Sequence, residues 1–316
     1  MTTTHTTETP TPSRVDRARH ALGNHLARTK TSQNDAAKQL GYSASALSSF
    51  LRGHYAGDAD EIAMRVEEMI NRAEKREELP QVDSGAWRET TIAKLVYTGL
   101  SRCHDRRRLG LITGDAGLGK TSTIDHYLGE HRSAVMVRVN STCSRPHYLL
   151  KAIGAALGVR VPASLYEAAT VVSDALRGSD RLLILDEAQR LTAPALEVVR
   201  DLYDSAKIGI VLVGNQAVQA QVYGAGQAAF AQHFSRLAIH VSVTNEMITL
   251  ADLELFVGGH IPSSDLASRK YLLELTRRGG FRTALFTLEL ALEWRDEATS
   301  FVQTLKAAHA QRGFVQ

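Results

Sequence analysis

The strongest constraint on this chain is a glycine-rich segment, Gly114 to Thr121, which reads G-D-A-G-L-G-K-T. It follows an apolar run that includes Leu111 and Ile112, and a helix-like pattern starts at Ser122. A glycine loop between a strand and a helix turns consecutive backbone N–H groups inward, where they can hold phosphate oxygens. The segment therefore predicts a nucleotide phosphate site.

Two side chains of this loop have specific predicted roles. Lys120 can reach the β- and γ-phosphates, and the Thr121 hydroxyl can ligate Mg²⁺. The glycines leave no side chain in the way of the anion. We expect the loop and the residue after it to bind the nucleotide: Gly114, Asp115, Ala116, Gly117, Leu118, Gly119, Lys120, Thr121 and Ser122.

A second motif, Leu182 to Glu187, reads L-L-I-L-D-E and is an apolar strand that ends in two carboxylates. Asp186 is suited to hold the metal, and Glu187 is suited to orient and activate the attacking water. Both motifs in this order predict a site that binds and hydrolyses ATP or GTP. ATP and Mg²⁺ are the expected cofactors.

Length and charge indicate more than one domain. A chain of 316 residues with a formal net charge of +3 has no overall basic field. Residues 1–54 carry seven Lys/Arg and three Asp/Glu, whereas residues 55–83 carry four and nine. This asymmetry predicts a small basic module followed by an acidic helix.

Other sequence signals exclude some classes of protein. Cys103 and Cys143 are too few for a disulfide framework and fit no metal-site spacing, so we expect packed thiols in a reducing cytoplasm. The first residues lack the apolar segment of a signal peptide, and no run of eighteen apolar residues occurs. The expected location is the cytoplasm, of a bacterial host if a phage encodes the chain, without membrane contact.

A helix-turn-helix is predicted between Gln33 and Gly53. Short apolar-periodic segments flank Gly41, and the stretch resembles the repressor-like version of the motif, with Ser43–Arg52 as its recognition helix. Short hydroxyls and one guanidinium can contact phosphates but favour no particular base. A small helical bundle that contacts protein remains the alternative. The candidate DNA contacts are Ser43, Ser45, Ser48 and Arg52.

The rest of the chain alternates strand-like and helical patterns and then becomes helical, which predicts an α/β domain with a parallel five-stranded sheet and a helical lid. We expect strands that are apolar on both faces, as a sheet covered on both sides requires. The predicted strands are Leu109–Thr113, Ala134–Val139, Arg181–Asp186, Ile208–Val213 and Ala238–Val243. Domain limits are predicted at 1–13 (disordered tail), 14–79 (helix-turn-helix), 80–86 (linker), 87–248 (nucleotide-binding core) and 249–316 (lid).

This core and lid resemble the AAA+ ATPases, and the resemblance implies three further catalytic residues. Asn215 matches the sensor that orients the hydrolytic water, and a cap of the next helix is the alternative. Arg236 matches an arginine that reaches the γ-phosphate in a neighbouring subunit, although a solvated surface arginine is the alternative. Arg282, after Gly279-Gly280, resembles the second sensor. Gln189 and Arg190 follow the carboxylate pair and receive no role.

The order of parts closely resembles the Mu B-type transposition proteins, the target-DNA-capturing ATPases of transposition. The best-matching segments are Ser48–Asp58, Gly114–Thr121, Leu185–Leu191, Ile208–Asn215 and Phe234–Leu237. The resemblance implies an ATPase that assembles with itself into ATP-dependent helical filaments on double-stranded DNA with little sequence preference. It also implies a transposase partner that receives the DNA and stimulates hydrolysis.

DNA contacts in the core are predicted on the helix after the second strand. Arg145 and Lys151 can pair with phosphates, although a solvated helix start would have the same composition. The basic run Arg102–Arg108 is a second candidate and could instead mark a subunit interface or a solvated edge.

Two other functions share parts of this pattern. A helicase-loader or secretion-type AAA+ ATPase would share the core but is not expected to carry the helix-turn-helix. A transcription regulator would use the helix-turn-helix to read an operator and the ATPase as a switch, but the serine-rich face argues against strong operator specificity.

Overall fold

The protein is described from a computed structural model that covers residues 13–80, 82, 87–223, 237–296 and 298–311. The chain divides into two compact units, Met1–Pro80 and Gln81–Gln316. The predicted tail lies outside the described residues except for Ser13, as does most of the predicted linker. The finer domain limits within the units stay predictions.

The first unit contains four helices among its described residues. Its core is formed by side chains from all four helices, with Leu22, Leu47, Phe50 and Ile62 fully buried. Burial of this apolar set stabilises the two eight-residue helices of the unit, because helices of that length are not stable alone. The helices are α1 (Arg14–Thr29), α2 (Gln33–Leu40), α3 (Ala44–Leu51) and α4 (Ala59–Glu78).

Helices α2 and α3 form the pair expected for a helix-turn-helix. Helix α2 ends at Gly41, whose φ of 76° places it in the left-handed region that glycine tolerates best. Helix α3 then begins after Ser43, whose side chain accepts a hydrogen bond from the Ala46 N–H. The predicted recognition helix is therefore present, with Ser43 and Arg52 as its two caps.

The second unit is a five-stranded sheet with nine helices among its described residues. Its strands are β1 (Leu109–Gly114), β2 (Ala134–Arg138), β3 (Leu182–Asp186), β4 (Gly209–Gly214) and β5 (Leu237–Val243). Its helices are α5 (Thr91–Asp105), α6 (Lys120–Glu130), α7 (Pro146–Leu157), α8 (Leu165–Leu176), α9 (Ala193–Ala206), α10 (Gln216–Tyr223), α11 (Leu250–Val257), α12 (Leu266–Glu293) and α13 (Phe301–Gln311).

The sheet is parallel throughout, with strand order β2-β3-β4-β1-β5. Successive side chains of a strand point to opposite faces, so each central strand contributes to two cores. In β3, Leu183 packs with α7, α8 and α9 residues, whereas Ile184 packs with α5, α6 and lid residues. Because the strands are parallel, the carboxyl ends of β1, β3 and β4 lie at the same edge of the sheet, which is where ligands bind in such sheets.

Two details of the predicted elements were wrong. The expectation that all strands are apolar on both faces fails at β5, where Ala238, His240 and Ser242 are exposed. The reason is that β5 lies at an edge of the sheet and packs only its alternate residues on the core. The sequence pattern predicts a helix from about Trp87 to Cys103, but the helix begins at Thr91, because the Thr90 side chain caps it by accepting from the Ala93 N–H.

The lid packs on the same side of the sheet as α5 and α6. Its longest helix, α12, has a kink at Gly280, where φ is 73° and ψ is 173°. This is a backbone conformation that residues with a Cβ essentially do not adopt, so the kink requires a glycine at this position. No helix within the described ranges is both long and apolar enough to cross a membrane.

Candidate nucleotide site

The glycine loop lies between β1 and α6 as predicted. Gly117 and Gly119 have φ values of 79° and 81°, which lets the backbone curl before α6 begins at Lys120. The Lys120 ammonium donates to the carbonyl oxygens of Gly114 and Asp115, at 2.7 Å each. These contacts hold the ammonium at the loop, beside the N-terminal N–H groups of α6. The loop therefore has the geometry of an anion-binding cradle.

The electrostatics of Lys120 favour an anionic ligand. Burial lowers the pKa of its ammonium below the usual range, and attraction to Asp186, Glu187 and Asp115 only partly offsets this effect. A phosphate close to the ammonium would favour its charged form.

Asp186 is a buried carboxylate with several donors around it. Its side chain accepts from the Thr121 hydroxyl at 2.9 Å and from the Glu187 N–H at 2.9 Å, and Arg138 Nε lies 3.5 Å from Oδ2. A hydroxyl and a carboxylate oxygen side by side form the hard-oxygen donor set that Mg²⁺ prefers. The two residues predicted as metal ligands, Thr121 and Asp186, thus lie in contact and fit such an ion.

Glu187 lies directly after β3 and lines the pocket beside the loop. Its φ of 59° and ψ of 34° fall in the left-handed region, which costs a residue with a Cβ roughly 1–2 kcal/mol. Its side chain is 40% exposed, whereas that of Asp186 is 2% exposed. The strained turn therefore separates the two carboxylates, with Asp186 under the loop and Glu187 open to the pocket.

The pocket beside the loop has a volume of about 320 Å³, which is in the size range of small-molecule sites. Apolar and aromatic groups from two regions, α5 with the residues before it and the lid, form part of the pocket wall. Trp87 stacks on His126 at 3.7 Å between ring centroids, and the buried Trp87 indole nitrogen has no hydrogen-bond partner among the described residues. The lining from these two regions includes Trp87, Arg88, Ala93, Phe256, Phe281, Arg282, Leu285 and Phe286.

Lid and loop touch through their glycines. The Phe281 N–H donates to the Gly117 carbonyl at 3.0 Å, and a Cβ on Gly280 would lie 2.8 Å from the Ala116 carbonyl oxygen. This approach brings Arg282 into the lining of the pocket, two residues after the kink. The predicted second sensor thus lies at the site.

Asn215 follows β4 at the same edge of the sheet. Its side-chain oxygen accepts from the Ala217 N–H at 2.9 Å, so it caps the start of α10 as the alternative interpretation expected. It also lies next to the carboxylate pair, because its own N–H contacts Gln189. Its role as a sensor stays a prediction, and Arg236 lies outside the described residues.

The predicted DNA residues of the core are exposed at the start of α7. Arg145 is the N-cap residue and Lys151 lies about one and a half turns later, with the exposed Tyr148 between them. Spacing of three residues places the three side chains in one slanting row on the helix. The row combines two cations with an aromatic ring.

The other candidate DNA contacts lie on α3 of the first unit and in the run Arg102–Arg108, and several of them make contacts within the protein. In the first unit Ser43, Ser45 and Arg52 are exposed and Ser48 is half-buried, but Ser43 caps α3 and Arg52 donates to the Ser48 carbonyl. In the run Arg102–Arg108 of the second unit, Arg107 pairs with Asp180 at 2.9 Å.

Four residues of or near these sites were missed or given no role at the sequence level: Trp87, Arg138, Tyr148 and Gln189. Trp87 and Tyr148 are aromatic residues next to motifs, which could have marked them. Arg138 and Gln189 gave no signal, because they reach Asp186 and Glu187 only through the packing of β2 on β3 and a turn after β3.

Comparison with known proteins identifies the class of the fold. Residues 103–222 match the AAA domain family. The Aeropyrum pernix ORC2 protein in its ADP form is similar over 74% of this chain and 70% of its own, with 16% identity and a TM-score of 0.48. The family match, the glycine loop and the five-stranded parallel sheet together show an AAA-type P-loop fold. The fold class expected from the sequence is confirmed, and the AAA domain supports an ATPase.

Two curated transposition proteins are similar over most of the chain. The Mu-like prophage FluMu DNA transposition protein B of Haemophilus influenzae is 26% identical over 82% of this chain and 90% of its own length. The ATP-dependent target DNA activator B of Escherichia phage Mu is 26% identical over 68% of this chain and 69% of its own. The chain is a homologue of these B proteins, which confirms the resemblance seen in the motifs.

Proposed function

We propose that this protein is an ATP-dependent, largely sequence-independent DNA-binding ATPase that selects DNA targets for transposition and activates a transposase. The observation that carries the ATPase part is the contact of Thr121 with Asp186 beneath the glycine loop, with Lys120 and Glu187 lining the same pocket. The names of its homologues, a transposition protein and an ATP-dependent target DNA activator, support the DNA and transposase parts.

In the proposed reaction, Lys120 and the loop N–H groups hold the β- and γ-phosphates of ATP. Glu187 accepts a proton from a water molecule as the water oxygen forms a bond to the γ-phosphorus. The bond between the γ-phosphorus and the β–γ bridging oxygen breaks, which releases ADP and phosphate. Thr121 and Asp186 would hold Mg²⁺, which offsets phosphate charge. The aromatic wall around Trp87 would pack on the base and ribose.

The lid would sense the nucleotide through Arg282. Because the Phe281 N–H is bonded to the Gly117 carbonyl, a change of loop conformation on phosphate release would reach α12 directly. Asn215 would orient the hydrolytic water at the end of β4.

Sequence-independent DNA binding would rest on phosphate contacts. The row Arg145–Tyr148–Lys151 on α7 offers two cations and a phenol to a DNA backbone, and exposed hydroxyls of α3 offer weaker contacts. ATP-dependent assembly into a helical filament would repeat the α7 contacts along the duplex, so that many weak contacts act together.

Binding to unrelated duplexes tests this function. Protein with ATP, ADP or no nucleotide is titrated with several fluorescent duplexes of different sequence at low salt, and the products are imaged by electron microscopy. We expect similar affinities for all sequences with ATP only, and filaments in the images. Tight binding to one sequence would favour the transcription regulator, and no duplex binding would favour a helicase-loader or secretion-type ATPase.

Assembly is tested by mixing two inactive variants. Arg236→Ala should bind ATP nearly as well as wild type but lose DNA-stimulated hydrolysis, because the arginine acts on the neighbouring subunit. Mixing it with Lys120→Ala should partly restore turnover, since some interfaces then combine an intact site with an intact arginine. No recovery at any ratio or concentration would remove the support for a role in trans.

A further inference from the structure

The glutamine after the carboxylate pair has a position that the reaction outlined above does not use. Gln189 lies in the short 3₁₀ turn Ala188–Arg190, and its side-chain Nε2 donates to Glu187 Oε2 at 2.7 Å. Its Oε1 accepts from the Asn215 N–H at 3.3 Å. One side chain therefore links the candidate base after β3 to the residue that ends β4.

The orientation of the Gln189 amide follows from these two neighbours. A carboxylate oxygen can only accept and a backbone N–H can only donate. Reversing the amide would place oxygen against the Glu187 oxygen and NH₂ against the Asn215 N–H, which breaks both contacts. The link consequently exists in one orientation only.

The end of β4 is shaped to receive this side chain. A Cβ on Gly214 would lie 2.3 Å from Gln189 Oε1, so the amide occupies the space that any larger residue at 214 would fill. The Gln189 backbone is held as well, because Gln221 on α10 donates to its carbonyl at 3.0 Å. These contacts fix Gln189 from two elements, β4 and α10.

The other cation near Glu187 is less able to hold the carboxylate. Arg190 Nε lies 3.7 Å from the same Oε2, and both side chains of this pair are at least 40% exposed. Such a long, solvated ion pair contributes little to positioning. Both donors approach Oε2, which leaves Oε1 as the oxygen that can face a water molecule.

We propose that Gln189 is a positioning residue that holds the Glu187 carboxylate and ties it to the end of β4. This proposal rests on the proposed ATPase function. A general base acts only when it lies within hydrogen-bond reach of the proton that it takes, and small misplacements are costly. Gln189 makes the two water-orienting residues, Glu187 and Asn215, move together.

The test compares Gln189→Met, which keeps the length but loses both contacts, with Gln216→Met, the same change at an exposed position on α10. We expect Gln189→Met to lower kcat by about 10- to 100-fold, as misplacement of a catalytic group does. The Kd for ATP should stay within about twofold of wild type, because the loop is untouched. Gln216→Met should match wild type in both.

A split between kcat and the Kd for ATP separates positioning from general damage to the fold. Gln189→Glu is nearly isosteric, but an ionised carboxylate cannot donate a hydrogen bond to Glu187. We therefore expect Gln189→Glu to lower kcat at least as far as Gln189→Met while the Kd for ATP stays within about twofold of wild type. A merely structural role would weaken ATP binding and lower the free energy of unfolding together with the rate.

A second route displaces the amide without changing Gln189. Gly214→Ala should reproduce the loss of kcat, and adding Gln189→Met to it should cause little further loss, because both changes break one link. Gly214→Ala by itself also tests the link if Gln189→Met does not fold. Fully additive losses of kcat in the double variant, or a kcat of Gln189→Met within twofold of wild type, would overturn the inference. If Glu187→Gln still abolishes turnover in that case, the proposed ATPase function stands. Absence of hydrolysis in wild type would reject the proposed function and this inference with it.

Discussion

At the scale of single residues, the candidate site combines one buried carboxylate with one open carboxylate on neighbouring positions. The difference arises in the backbone, because the left-handed conformation of Glu187 turns its side chain away from that of Asp186. Two adjacent acids can thus have different roles, one as a metal ligand and one as a base. The strain at Glu187 is consistent with a functional position.

The first prediction separates binding from chemistry. Lys120→Ala should abolish tight ATP binding, because it removes the positive charge placed at the β- and γ-phosphates. Glu187→Gln should keep the ATP affinity but stop turnover, since an amide cannot accept the water proton. Fluorescence titration and steady-state hydrolysis measure the two effects, with the exposed Lys270→Ala as the control for loss of a lysine. Hydrolysis by Glu187→Gln at the wild-type rate would contradict the assignment of the base.

At the scale of elements, the contact between the glycine loop and the kink in α12 is the structural feature that joins the core to its lid. Neither glycine can be replaced without cost, because Gly117 and Gly280 both have positive φ and their backbones are in contact. The contact brings Phe281 and Arg282 to the pocket. The lid therefore completes the site.

The second prediction concerns this contact. Gly280→Ala should lower the free energy of unfolding by about 1–3 kcal/mol and weaken ATP binding, because its Cβ would meet the Ala116 carbonyl and its φ is unfavourable. Denaturant unfolding and nucleotide titration measure the two effects. Gly129→Ala, at a helical position with open space around it, is the matched control and should not destabilise the protein. An ATP affinity equal to wild type in Gly280→Ala would show that the contact does not shape the site.

A second contact between elements connects α11 of the lid to the start of α5 through the carboxylate of Asp252. It accepts from the N–H and hydroxyl of Thr249 in a capping box and from the Thr91 N–H at the start of α5, at 2.6 Å. Burial alone would raise its pKa, but the hydrogen bonds from Thr249 and Thr91 outweigh this, and the pKa is lowered. The charged carboxylate thus fastens the lid to the core.

The third prediction follows from the sign of this shift. A folded-state pKa below the unfolded value gives stability that is present above the unfolded pKa and is lost as pH falls through the folded pKa. Asp252→Asn should therefore lower the free energy of unfolding at neutral pH by roughly 1–3 kcal/mol and reduce its loss on acidification. Denaturant unfolding between neutral and acidic pH measures both. An unchanged pH dependence in Asp252→Asn would argue against the role of this charge.

At the scale of the whole molecule, the candidate DNA contacts are distributed between the two units. The first unit offers the short hydroxyls of α3, and the second offers the Arg145–Tyr148–Lys151 row on α7. In the proposed assembly, the α7 row would recur with every subunit along the DNA. We therefore expect the second unit to carry most of the sequence-independent affinity.

The fourth prediction tests this division by salt dependence. Arg145→Ala and Lys151→Ala should each weaken binding to all duplexes alike and flatten the plot of log affinity against log salt by about one unit. Deleting residues 1–83 should weaken binding only modestly. Arg160→Ala, outside the α7 row, is a control for the loss of one positive charge. Unchanged slopes in both variants would move the contact elsewhere, with Arg106–Arg108 the next place to test.

The amino-acid sequence by itself determined the class of fold, the residues of the candidate phosphate site and the order of strands and helices. These follow from local patterns: glycines that permit a curled loop, apolar runs that become buried strands, and carboxylates at a strand end. The cap at Thr90 and the alternating exposed residues of β5 are local patterns as well.

Only the tertiary structure decided which distant side chains act on that site. The stacking of Trp87 on His126, the contact of Gly280 with the loop and the link from Gln189 to Asn215 join residues far apart in the chain. Such contacts depend on sheet order, since the last one arises because β4 lies beside β3. Periodicity reports which face of an element is buried but not which element covers it, so these partners could not be read from the sequence.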